Sequence, residues 1–117
     1  MMSELNDHIN QIKLIFKLKD VNLTSDFYMF YHLCENNYHE LIKELINNGF
    51  DVNIKTKYGY TTLMWASING NIETIKLLLD NGADVNIQNI NGYTALSYGV
   101  SNKHAKIIKL LKEHGAK

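Results

Sequence analysis

The chain has 117 residues, a length that suits one domain with a core of its own, and its 12 lysines balance 12 carboxylates to a formal net charge of zero. With no arginine and no net field, it lacks the usual fork for phosphates and guanine edges and any long-range pull on nucleic acid or anionic membranes. A single cysteine, Cys34, rules out an internal disulfide and points to a reducing, intracellular compartment, the cytoplasm.

In chain order, Met1-Met2-Ser3-Glu4 is polar, and Ile12 to Leu18 is broken by Lys13 and Lys17. That is neither a signal-peptide core nor a membrane span. Ile9 to Phe16 has the apolar spacing of a helix, and Asp20-Val21-Asn22 reads as its exit turn. From Leu23 onward the chain repeats. Gly49, Gly82 and Gly115 are spaced by 33, as are Leu45, Leu78 and Leu111, Ile42, Ile75 and Ile108, and Asn36, Asn69 and Asn102. Asp51-Val52-Asn53-Ile54 returns as Asp84-Val85-Asn86-Ile87, and Gly59-Tyr60-Thr61 as Gly92-Tyr93-Thr94. The copies divide as residues 23–57, 58–90 and 91–117. Residues 1–22 are expected to cap the N-terminal end, either as a degenerate half-copy of this repeating unit or as an unrelated helix.

Each copy predicts two helices and a turn-rich finger. Thr61 and Thr94 stand where a hydroxyl can accept a first-turn N–H. Ile72, Ile75, Leu78 and Leu79 form one apolar stripe. Gly82 and Gly115 come just after the second helix, where the chain must turn left-handed. Asp84 and Asn86 suit a turn, because short polar side chains bond local backbone. One such hairpin cannot bury its own apolar face, so it must stack on its neighbours. In the last copy Leu79 becomes Lys112, Met64 becomes Ser97 and Ile72 becomes Ala105, which reads as a polar C-terminal cap.

The period and the run Gly59-Tyr60-Thr61-Thr62-Leu63-Met64-Trp65-Ala66, with Gly70-Asn71-Ile72-Glu73 and Leu77-Leu78-Leu79-Asp80-Asn81-Gly82-Ala83-Asp84-Val85-Asn86, resemble the ankyrin repeat. The resemblance covers at least residues 23–117 and implies an all-α solenoid of stacked helix-turn-helix units with β-turn fingers. It departs from the family's Thr-Pro-Leu-His in both complete copies, which read Thr61-Thr62-Leu63-Met64 and Thr94-Ala95-Leu96-Ser97. Proline's preorganisation and the histidine that ties the turn are thus lost. Where the family has glycine between the two helices, Gly70 survives, but Asn37 and Lys103 replace it elsewhere, and Lys103 is expected to be strained there.

Reactive groups are sparse. Cys34 with His32 or His39 is the one nucleophile–base candidate, yet register places these residues at packing positions, matching Ser67, Trp65 and Ile72. His8, His32, His39, His104 and His114 form no close ligand motif, so neither a metal nor another cofactor is expected, and the chain reads as no enzyme. Glu40, Glu44 and Glu73 have lysine neighbours on helix faces, as a solvated surface does.

The ankyrin resemblance implies a protein partner met by finger tips and the concave face of the first helices, with the chain acting as a monomer. By register that surface comprises Lys55, Lys57, Tyr58, Tyr60, Ile68 and Asn69, then Gln88, Ile90, Asn91, Tyr93, Ser101 and Asn102, with Phe27, Glu35 and Asn36 from the first copy. Tyr58, Tyr60 and Tyr93 are the favoured anchors, since tyrosine joins a broad apolar face to a hydroxyl. Trp65 is expected in the core. A self-associating module without a dedicated partner is the alternative reading. The resemblance also implies that Asn53 and Asn86, in Leu-(six residues)-Val-Asn settings, are candidates for hydroxylation, although bonding of the finger backbone explains them as well. Heavy use of Asn, Ile and Lys, joined to ankyrin units, is similar to proteins of giant DNA viruses, poxviruses, amoebae and intracellular bacteria, which implies a partner in a host cytoplasm.

Overall fold

The computed structural model describes residues 25–117, so the expected cap over residues 1–22 lies outside the described residues. Six helices succeed one another: α1 (Ser25–Glu35), α2 (His39–Asn47), α3 (Thr62–Asn69), α4 (Ile72–Asp80), α5 (Ala95–Ser101) and α6 (Ala105–Glu113). Among the described residues extended pairing is limited to one isolated bridge, Lys55 with Thr61. None of the six helices exceeds 11 residues. Helices that short do not hold alone in water, so tertiary packing must stabilise them.

The packing is between neighbours. Helices α1 and α2, α3 and α4, and α5 and α6 form three hairpins; α1, α3 and α5 lie side by side in an inner row, and α4 packs on α6 in the outer row. The shared core keeps to the 33-residue register: Ile42 and Ile75, Leu45, Leu78 and Leu111 are all buried. The positions changed to polar residues in the last copy are those that lose cover. Leu79 and Met64 are buried, whereas Lys112 is exposed and Ser97 half-buried.

Local chemistry sets the helix starts. Thr61 Oγ1 accepts from Met64 N at 3.2 Å. Thr94 Oγ1 accepts from Ser97 N at 3.3 Å, and Ser97 Oγ accepts from Thr94 N at 3.0 Å, closing a reciprocal cap. The serine that replaces the family histidine therefore restores a tie that was expected to vanish with it. Between the helices of each hairpin the backbone is left-handed, with φ of 61° at Asn37, 73° at Gly70 and 57° at Lys103. The expectation for Lys103 holds: its Cβ sits in a conformation that costs an L-residue about 1–2 kcal/mol.

Side chains also stitch one copy to the next. Thr74 Oγ1 donates to Cys34 O at 2.9 Å, and Ser67 Oγ donates to Ala95 O at 2.7 Å, both in the interior. Asn53 Oδ1 accepts from Asp84 N at 2.8 Å, and Asn86 Oδ1 from Lys117 N at 3.2 Å.

Candidate functional site: the fingers and the inner helix row

The two complete fingers are built alike. Thr56 N donates to Tyr60 O and Asn89 N to Tyr93 O, each at 2.9 Å, closing the two turns. Inside the turns, Thr56 Oγ1 accepts from Tyr60 N at 3.2 Å, and Asn89 Oδ1 accepts from Tyr93 N at 3.1 Å. Ile90 N donates to Tyr58 O at 3.0 Å, so the second finger hangs on the first. The approach is close because Gly59 has no side chain: a Cβ there would stand 2.9 Å from Asn89 Cα.

This scaffold leaves three large side chains in solvent, with Tyr58 52 %, Ile90 67 % and Tyr93 51 % exposed. Lys57 Nζ lies 5.0 Å from the centre of the Tyr58 ring, within cation–π range. Lys55, Gln88, Asn91 and Ser101 are exposed beside them, and Ile68 is half-buried. Tyr60 turns inward: its ring lies 5.5 Å from Trp65 and 6.1 Å from Tyr98, and its hydroxyl accepts from Tyr98 Oη at 3.1 Å. Tyr93 meets Tyr98 edge to face at 5.8 Å. Trp65 is half-buried rather than a core residue, and its Nε1 is buried without a hydrogen-bond partner.

Several residues expected at the surface have structural work. Phe27 is only 1 % exposed and stacks on Tyr31, so it belongs to the core and not to a partner surface. Asn69 Nδ2 donates to Tyr31 Oη, and Asn102 Nδ2 donates to Ile68 O at 3.4 Å, so the repeated asparagine reaches back to the preceding inner helix. Asn36, in the turn just after α1, bonds back to His32 O at 2.8 Å, and Glu35 is exposed. Asn53 and Asn86 use their amides in the finger-to-finger ties, and Asn86 Nδ2 also donates to Gly115 O at 3.2 Å.

The structure adds two residues that sequence reasoning missed. Tyr98, 33 residues after Trp65, joins the aromatic row; burial, and then its bond to Tyr60, push its phenol above the usual 10.0. Asn89 is buried, and its Nδ2 donates to Tyr98 Oη at 2.7 Å. The signal for it was register, since Asn89 stands where Thr56 does.

Around Cys34 the geometry disfavours chemistry. The thiol is fully buried, and burial pushes its pKa up from 9.0 to about 12, so the nucleophilic thiolate is scarce. His32 and His39 are exposed, not packed as register suggested. No cluster of three or more His, Cys, Asp or Glu side chains suited to a metal ion occurs among the described residues. No helix among them is long and apolar enough to cross a membrane.

The family model described as Ankyrin repeats (3 copies) matches residues 1–89 and residues 31–117. The chain belongs to the ankyrin-repeat family, whose members generally mediate contacts between proteins and are typically not enzymes. No curated protein matches it.

Proposed function

We propose that this protein binds another protein through the finger tips and the adjoining face of the inner helices, working as a monomer in the cytoplasm. The observation that carries the reading is the row Tyr58, Ile90 and Tyr93, three large side chains at least half exposed on two fingers joined by a backbone hydrogen bond. Rigid aromatic groups on a fixed frame lose little entropy on docking, which is why such residues dominate interface energy. The lone, buried thiol supports a reducing compartment.

Replacing the two exposed finger tyrosines, Tyr58→Ala with Tyr93→Ala, is expected to weaken partner capture at least about tenfold. Both rings are half exposed and the adjoining helix starts are capped by Thr61 and Thr94, so far-ultraviolet circular dichroism should be unchanged. Equal capture of one partner by wild type and double variant would reject this surface.

A further inference from the structure

The neutral chain hides a charge gradient along the stack. Residues 27–53 carry Glu35, Glu40, Glu44 and Asp51 against Lys43 alone. Residues 91–117 carry Lys103, Lys106, Lys109, Lys112 and Lys117 against Glu113 alone. All five lysines are exposed, and the ion pairs among the described residues, Lys43 with Glu40 and Lys76 with Glu73, include none of them. The finger and inner-helix segments 54–70 and 87–103 hold no carboxylate at all; their charges are Lys55, Lys57 and Lys103.

At the same end lies a hollow of about 220 Å³ lined by Tyr93, Ser97, Tyr98 and Ser101. Each lining residue stands 33 positions after one of Tyr60, Met64, Trp65 and Ile68. In the middle copy that set is covered by α5: Met64 is buried, and Tyr98 lays its ring 6.1 Å from Tyr60 with the two hydroxyls 3.1 Å apart. One copy earlier, the residue equivalent to Tyr93 thus takes an aromatic ring with a hydrogen-bonding edge. Replacement of Met64, Trp65 and Ile68 by Ser97, Tyr98 and Ser101 makes the open version hydroxyl-lined and wettable, which suits reversible docking. Its volume is below that of typical small-molecule sites, roughly 300–1,000 Å³, and fits a single side chain.

We propose that the third copy is the principal docking end and that its partner is an acidic protein segment carrying one aromatic anchor, the ring entering the Tyr93–Ser101 hollow and the carboxylates facing Lys103 and Lys112, the α6 lysine that stands where Leu79 is buried in the middle copy. This rests on the proposed protein-binding function and names the partner's chemistry. Electrostatic complementarity of this kind speeds encounter and selects partners. Lysine without arginine gives a point-charge field rather than the bidentate forks that favour phosphate.

The test is selection of a random-peptide display library on the full chain, then affinity measurement with the winning peptides. Winners are expected to pair Asp or Glu with one Tyr, Trp or Phe, and to bind at least about tenfold more weakly at ~0.5 M than at ~0.05 M salt. Lys103→Glu with Lys112→Glu, or Ser101→Trp to fill the hollow, is expected to abolish binding with helical content retained. Neutral or basic winners, or binding indifferent to these variants, would overturn the proposal. Loss of binding in Tyr58→Ala but not in the lysine variant would leave the finger surface standing while removing the acidic partner; indifference to both would remove both. Displacement of the peptides by duplex DNA, or self-association abolished by the lysine reversals, would also overturn it.

Discussion

Lys103 holds a left-handed backbone, φ 57°, where the middle copy has Gly70. The cost of a Cβ there, about 1–2 kcal/mol, is partly offset by the extra freedom that glycine brings to the unfolded chain, about 0.5–1 kcal/mol. Lys103→Gly is therefore expected to stabilise the protein by roughly 0.5–1 kcal/mol, read as a higher urea midpoint with unchanged slope. This strain was legible in the sequence because it comes from register and residue type alone. Ser97 was not legible in the same way. Its bond to Thr94 N depends on a rotamer that only the folded helix start selects, so losing the family histidine looked like a lost tie when it was an exchange of donors and acceptors. Phe27 misled for a related reason. It shares the register of Tyr60 and Tyr93, but at the first copy Tyr31 and the surrounding core close over it.

The fingers depend on an approach that one glycine permits. At Gly59, φ is 82° and an added Cβ would meet Asn89 Cα at 2.9 Å, a backbone atom that cannot swing aside. Gly59→Ala is expected to destabilise by about 2–3 kcal/mol, from the left-handed strain plus the clash. The damage should be local: faster amide exchange at Ile90, whose N–H is bonded to Tyr58 O, than at buried α4 amides. Unaltered Ile90 protection would show that the two fingers do not lean on each other. Helices and turns were readable from apolar spacing, threonine caps and glycine positions. The aromatic row was only half readable, because Tyr98 and Asn89 gain their roles from rings and hydroxyls brought together across copies, and pairing across copies leaves no spacing signal.

As a whole the molecule is a row of neighbours, and Cys34 sits where the first meets the second, its carbonyl bonded by Thr74 and its thiol out of solvent. Labelling by a small alkylating agent should therefore wait for that junction to open, and run orders of magnitude slower in the native protein than in urea. The thiol also links stability to pH. Its folded pKa is raised, so the unfolded chain ionises first; the associated stability is complete below pH ~9 and falls as pH climbs from 9.0 toward about 12. Rapid labelling at neutral pH, or a Cys34→Ser variant with the same alkaline decline, would contradict this placement. The stacking itself was written in the period of 33, but the uneven charge of its two ends was not, since a chain-wide charge of zero conceals how its lysines and carboxylates are apportioned.

The ties made by Thr74 and Ser67 point in opposite directions along the row, and both end on backbone carbonyls. Any residue can supply a carbonyl, so the middle copy carries its own couplings in both directions and asks nothing particular of what lies on either side. A duplicate of residues 58–90 spliced in after the original would find its serine and threonine already aimed at acceptors. The protein is in this sense extensible, and genetic duplication could lengthen it like a train gaining a carriage, without redesign of the couplings.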